Sequence, residues 1–357
     1  FETNASVDVA FTDAVTGTKQ IKMLGLDGPY TYITRENMPG VRGLGSAFGL
    51  TFIPGTWINS IQVTKGVGSV VNGYESIAGQ INVELQKPPL GEQTFANVFV
   101  DQSGRMEANL VQTIKTSEKW GTTFLLHGNV RPFEVDENSD GFMDLPMQDH
   151  FNVMNRWQYH GHHGLEAQFG GSYILDNKDG GQMSDASKEK SASADLYKIR
   201  INTERVEGFA KMGYVFPEFR YKSMGLQLSA LYHSQSSLFG RNIYDGIERS
   251  FYANYIYQSI IGNTNHQFKT GFSFLYDDYD EKVNSSKYER TEKVPGVFFE
   301  YTFKPTENFS LVSGIRGDHH SIFGFFVTPR LHARYAPDEK TVFRALAGSG
   351  QKTASIF

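Results

Sequence analysis

Leu165-Glu-Ala-Gln-Phe-Gly-Gly-Ser-Tyr-Ile-Leu175 sends Leu165, Ala167, Phe169, Tyr173 and Leu175 to one side of an extended chain and Glu166, Gln168 and Ser172 to the other. Successive side chains of a strand point to opposite faces, so this stretch is a ribbon with one apolar and one polar side. The same alternation recurs over residues 122–131, 226–233, 251–261, 268–277 and 297–304. About a dozen such units succeed one another, parted by polar breaks and with no helical stretch between them, which is the pattern of a transmembrane β-barrel. Lipid offers no partner to a backbone group, so only a helix or a closed barrel crosses it. The fold class read here is an all-β membrane protein built on a large antiparallel barrel.

The totals agree with that reading. Of 357 residues, 39% are hydrophobic, the mean hydropathy is −0.39, and no run approaches the roughly 18–20 apolar residues of a spanning helix. Alternation hides the hydrophobicity of a barrel. Aromatics reach 14%, with 18 Tyr and 28 Phe, and they suit both strands and the interface belts of a membrane protein. A soluble sandwich is the alternative, but both faces of its strands would need cover. A net charge of −5 without any basic run argues against a nucleic-acid partner. There are no cysteines, hence no disulfides or thiolate metal sites, which fits an oxidising compartment. No signal peptide stands at Phe1, so an exported chain begins here after processing or lacks its front.

Residues 1–90 differ from the rest of the chain. Glycines crowd residues 40–79, and four short strands are expected over residues 6–11, 19–24, 58–64 and 80–86. Lys87-Pro-Pro89 reads as a rigid linker. Residues 91–357 form the barrel. Its breaks alternate between short ones (117–119, 161–164, 216–218, 262–265, 305–308 and 337–340) and longer ones (132–149, 176–194 and 279–294). Tight turns of outer-membrane barrels face the periplasm and longer loops the outside. Trp120, Trp157, Tyr159, Phe303, Phe309 and Tyr335 lie beside the short set, as a periplasmic girdle requires. Counting up and down gives about thirteen strands, the last ending outward near Gly348, an odd number that does not close in the usual single-chain barrel.

Ile61-Gln-Val-Thr-Lys-Gly66, Ser69-Val-Val-Asn-Gly73 and Ser76-Ile-Ala-Gly-Gln-Ile-Asn-Val83 resemble the end of the plug domain of TonB-dependent outer-membrane receptors. Leu26-Asp-Gly28 and Val41-Arg-Gly43 match motifs upstream of it, while Gly314-Ile-Arg-Gly-Asp318, Thr328-Pro-Arg330 and Arg344-Ala-Leu-Ala-Gly-Ser-Gly350 are similar to its mid-barrel strands. The wording is most similar to receptors of Bacteroidetes type. The family's Gly-Pro is Gly66-Val67 here and its Tyr-Gly is Asn72-Gly73, changes that keep both glycines. The resemblance implies a mixed α/β plug inside a barrel of about 22 strands, of which about thirteen are present. It implies, further, a TonB box ahead of residue 1 and strands beyond residue 357. It also implies active uptake of a scarce nutrient (siderophore, metal complex, corrinoid or similar), driven by the TonB–ExbB–ExbD complex in the inner membrane. A passive porin with a hatch and a copper-specific receptor are the alternatives. No enzyme is expected, since no nucleophile elbow or nucleophile–base pairing is found.

Site residues derive from these roles. Arg35, Glu75 and Glu84, with Glu36, Arg42 and Lys65, are expected to meet inward-facing Glu166, Gln168, Lys269, Glu300 and Arg330 in a wet contact that yields under force, or else to be solvated surface. The ligand set is Tyr30, Arg42, Phe48 and Trp57 in glycine-rich stretches, plus His319 and His320 in an outer loop. The three aromatics either clamp a ligand or pack the plug against the wall. Asp318-His-His320 is expected at an outer loop near Met143, Met147 and His150, donors that suit copper, although solvated turn histidines are the safer reading. Asp136, Asn138, Asp140 and Asp144 match the start of a calcium loop, but Met147 stands where the bidentate Glu belongs. That loop is therefore either a structural Ca²⁺ site or a plain acidic turn, and no other cofactor is required. A test of facing is Phe274→Arg on the lipid side, expected to cost roughly 2–4 kcal/mol near the midplane, against a much smaller cost for Leu275→Arg on the lumen side.

Overall fold

The computed structural model describes residues 5–13, 15–88, 93–183 and 196–356. The N-terminal part contains six strands. β1 (Val7–Phe11) and β2 (Lys19–Met23) pair as a hairpin. β3 (Thr31–Arg35), β4 (Met38–Val41), β5 (Ile58–Lys65) and β6 (Gly79–Leu85) form a sheet in the order β4-β3-β6-β5, with β3 and β6 parallel. β3 and β4 go beyond the four strands expected. Thr31-Tyr-Ile-Thr is buried on both faces and therefore shows no alternation, and Pro39 and Gly40 disguise β4. The α/β character expected of this unit is also corrected: among the described residues it holds short 3₁₀ turns (Gly43–Ser46, Gly49–Phe52, Gly55–Trp57) and no α-helix. Glycine and proline every few residues stop a helical turn from propagating.

The rest is one antiparallel sheet of 13 strands in sequence order. It runs through β7 (Gln93–Val100), β8 (Met106–Lys115), β9 (Trp120–Arg131), β10 (Met147–His160), β11 (Leu165–Gly181) and β12 (Lys198–Val215). It continues with β13 (Ser223–Phe239), β14 (Asn242–Ile261), β15 (Asn263–Val283), β16 (Ser286–Thr306), β17 (Phe309–His320), β18 (Gly324–Tyr335) and β19 (Phe343–Gly348). The count and the outward end near Gly348 agree with the sequence.

The loops agree less well. Residues 279–294 are not a long loop: β15 and β16 stay paired to Val283 and Ser286, leaving a two-residue turn in which Asn284 takes φ 53°. Likewise β11 runs to Gly181, so the break expected from residue 176 begins six residues late, and residues 184–194 lie outside the described part. Alternation signals a strand only where one face meets lipid. Beyond the bilayer both faces are polar, as in Asp277-Asp-Tyr-Asp-Glu281, and pairing continues unseen by pattern.

Facing follows the alternation. On β15, Ser273, Leu275, Asp277, Tyr279 and Glu281 are buried, whereas Phe272 beside them is 58% exposed. Phe169, Phe251, Val297, Phe299 and Ile315 are exposed on the same outer side. An apolar surface that broad is tolerated only where lipid covers it. At the short-turn end, Trp120 packs on Trp157, Tyr159 and Phe169, while Phe268 stacks on Phe299 and Phe303 meets Phe309 edge-on. This is the aromatic belt of one membrane interface. Among the described residues no helix is long and apolar enough to cross a membrane.

Candidate functional site

The inner face of the sheet is occupied by the N-terminal unit, and the contact is charged but buried. Arg42, in the turn after β4, sends Nη1 to Asp277 Oδ2 on β15 at 2.5 Å and Nε to Glu75 Oε2 at 3.2 Å. All three are at most 6% exposed. Glu36, at the β3–β4 turn, accepts from Arg156 of β10 at 3.0 Å and from Lys211 of β12 at 2.8 Å. Arg35 pairs with Glu207, itself held by Arg205, and Arg205 Nη2 donates to the Gly40 carbonyl at 3.0 Å. The Leu44 amide donates to Glu248 at 2.9 Å.

On the far side, Ser69 donates to Glu300 at 2.5 Å, Arg316 donates to the Val70 carbonyl at 3.3 Å, and Arg330 donates to the carbonyls of Gly68 and Ser69 at 3.1 and 2.9 Å. Thr56 reaches Asn109 of β8 at 2.8 Å, and the Phe52 carbonyl accepts from Asn152 of β10 at 2.8 Å. One small unit thus touches strands from β8 round to β18, so the sheet curves about it. Gly43 shows how closely the two approach: its φ is +58°, and a Cβ there would run into the Glu248 carboxylate.

Burial alone would raise the Glu75 carboxyl, but Arg42 and Lys352 outweigh it and hold the group down at about 2. Glu36 is lowered in the same way: Arg156 and Lys211 overcome its burial. The expectation of a wet contact is therefore corrected, because these ions are enclosed and paired. Breaking such a pair costs far more than exchanging a surface one.

Other expected residues fall elsewhere. Glu84 bonds to Lys87 at 2.7 Å and to Asn82 at 2.8 Å, inside the N-terminal unit and not to the wall. Phe48 is buried against Ile174, Ile199 and Ile201 of the wall, and Trp57 is buried with Met23, Ile81, Leu125 and Met154. Both are packing residues here, and Tyr30 is exposed. His319 and His320 are adjacent on β17 and therefore face opposite ways: His319 is exposed, while His320 is buried 3.1 Å from Glu292. They do not share one ligand.

In the acidic loop, Asp136 accepts from the amides of Asp140 and Gly141, Asp140 from Phe142, and Asp144 from Glu137. The carboxylates serve their own turn. Among the described residues no group of three or more His, Asp or Glu converges as a metal site. Leu275, expected to be the tolerant lumen position, is buried with Met38, Tyr74, Tyr252 and Val294.

A cavity of about 300 Å³ opens between the unit and the wall at the long-loop ends of β8–β11. Its floor is the turn at Thr16–Thr18 with residues 50–55, and its wall carries Arg105, His127, Arg131, His150 and Lys178. No pattern in the sequence singles out these residues: His127, Arg131, His150 and Lys178 are inward positions of ordinary alternating strands, and Arg105 stands just ahead of β8.

An antiparallel sheet that is apolar outside, charged inside and wrapped on a folded unit defines a membrane-spanning β-barrel with an occupied bore. The description "TonB dependent receptor-like, beta-barrel" matches residues 107–357, and the chain belongs to that family of outer-membrane proteins. Solved structures agree on the fold. A mutant of the ferric enterobactin receptor PfeA from Pseudomonas aeruginosa superposes with a TM-score of 0.77 at 11% identity, over 98% of this chain and 58% of that one. The unliganded ferric citrate transporter FecA gives 0.75 at 14% identity, over 98% and 59%. The alcaligin outer-membrane receptor FauA from Bordetella pertussis gives 0.71 at 11%, over 92% and 56%. The chain thus spans under two thirds of the length of these relatives. No curated protein sequence matches it.

Proposed function

We propose that the chain is the plug and a large part of the barrel of an active transporter, which takes up a small-molecule or metal-chelate nutrient across the outer membrane under TonB control. The observation that carries this reading is the plug's grip on the wall: a folded unit is held against the inner face of the sheet by buried ion pairs, so that displacing it takes work. Work of that kind must come from a partner; TonB is the one that the family name supplies, and ExbB and ExbD are part of this proposal as the source of its energy. The iron-chelate receptors among the similar structures favour an iron complex as cargo. A copper-specific site loses support, because His319 and His320 diverge.

Uptake of labelled ferric chelates by cells carrying the full-length protein tests the proposal. Loss of uptake when TonB is deleted is expected, and unchanged uptake sinks it. A passive porin predicts, instead, open-channel conductance in planar bilayers with the plug in place. The expected conductance is near zero.

A further inference from the structure

A groove of about 320 Å³ lies on the outer face of the sheet at the short-turn end. Leu165 of β11, Met212 and Tyr214 of β12, Met224 and Leu226 of β13 and Tyr255 of β14 line it. Two cross-strand rungs build it: Leu226 stands between Met212 and Tyr255, and Tyr214 between Leu165 and Met224. The groove faces lipid, because the residues next to it in the chain face the bore. Lys211 reaches inward to Glu36, and Gln227 shares Asn254 with the Val71 carbonyl. Each of these four strands is paired on both edges, so nothing outside this chain is needed to form the groove. Lipid wets the whole outer face, and an apolar groove by itself selects nothing. Selection comes from the turn that joins β12 to β13, Phe216-Pro-Glu-Phe-Arg-Tyr-Lys222. Of the turns at this end (116–119, 161–164, 216–222, 262, 307–308 and 336–342), it alone has more Lys and Arg than Asp and Glu. The Lys222 ammonium stands 4.7 Å from the Phe219 ring and 6.0 Å from that of Tyr221. Neither Lys222 nor Arg220 forms an ion pair among the described residues. Lys222 precedes Met224 by two residues, about 7 Å of extended chain, so these cations stand at the mouth of the groove.

We propose that the groove and this turn hold one anionic phospholipid of the adjoining leaflet, with an acyl chain across the two rungs and the phosphate on Arg220 and Lys222. Cations without a protein partner beside a membrane attract anionic headgroups. Arginine offers a fork of donors matched to phosphate, and lysine a compact charge. Phe219 and Tyr221 are exposed, and aromatic rings of this kind settle at headgroup level. Met212 and Met224 are unbranched and adapt their shape to a flexible chain. A lipid bound in this way fastens β12 and β13 at one depth in the bilayer. The inference rests on the lipid-facing wall and is independent of the uptake reading.

The test is native mass spectrometry of the purified full-length protein, released from detergent micelles doped equally with phosphatidylglycerol and phosphatidylcholine of identical acyl chains. Retention of one phosphatidylglycerol in clear preference to phosphatidylcholine is expected. Arg220→Gln and Lys222→Gln are each expected to lower that preference about fivefold. Lys340→Gln, in another turn at the same end, is expected to leave it unchanged. Met212→Trp fills the groove from β12 and is expected to abolish retention with both cations in place. All four positions lie at turns or on the lipid face, away from the packed contact with the N-terminal unit. Equal retention of the two lipids overturns the proposal. So does a preference that survives the double variant Arg220→Gln/Lys222→Gln, or one that Lys340→Gln lowers as much as Lys222→Gln does. Undiminished retention in Met212→Trp overturns it as well, because the headgroup contact then needs no groove.

Discussion

Arg42→Ala leaves Asp277, which is wholly buried, without its cation and deprives Glu75 of its nearer one. A buried pair broken from one side costs about 3–5 kcal/mol, and urea unfolding in detergent is expected to show a loss of that size. Glu75 gives the matching pH signature. Its carboxyl sits near 2, below its ordinary 4.5. Stabilisation from that ion pair is therefore complete above pH 4.5 and is lost as the pH falls toward 2. Glu75→Gln should flatten the stability profile in that window and leave its shape near neutrality unchanged; an unaltered acid limb would refute the assignment. Gly43→Ala combines a left-handed backbone with a Cβ directed at Glu248. About 1–3 kcal/mol for the backbone alone is expected, read as faster hydrogen exchange at the Leu44 amide.

Among the strands, β15 carries the sharpest contrast. Phe274 faces lipid, and Phe274→Arg near the midplane is expected to cost roughly 2–4 kcal/mol. Leu275→Arg should be no milder, because it drives a charge into the cluster of Met38, Tyr74 and Val294. Glu166→Arg, on an exposed inward position, is the tolerant control. Reversible unfolding into phospholipid vesicles ranks the three, and equal costs for Phe274→Arg and Glu166→Arg would reverse the facing. The acidic loop makes a separate prediction: with its carboxylates bonded to their own turn, added Ca²⁺ is expected to leave the melting temperature unchanged. A rise of several degrees would restore the ion.

Across the whole molecule, the legible part of the sequence is whatever lipid imposes. Phe169 against Gln168, or Phe272 against Ser273, reports a face by its chemistry, and counting such faces finds thirteen strands. Where no solvent boundary divides the two sides, the pattern falls silent. β3 is buried on both faces, the ends of β15 and β16 are wet on both, and each escapes detection for that reason. The site is least legible of all. Arg42 stands in a recognisable motif, but Asp277, Arg156 and Lys211 become its neighbours, or those of Glu36, only when distant strands curve together. The cavity at Arg131 and His150 exists by that closure alone.

The extended pairing of β15 with β16 has a consequence for how a cell is seen from outside. Each strand has 21 residues, and a bilayer takes only about 9–11 of them. About ten remain, a stiff blade on the order of 30 Å tall. Antibodies or phage tail fibres approaching the bacterium would meet a rigid ridge there and not a pliant loop. Epitopes on it should be conformational, recognised on intact cells and lost on a denaturing blot.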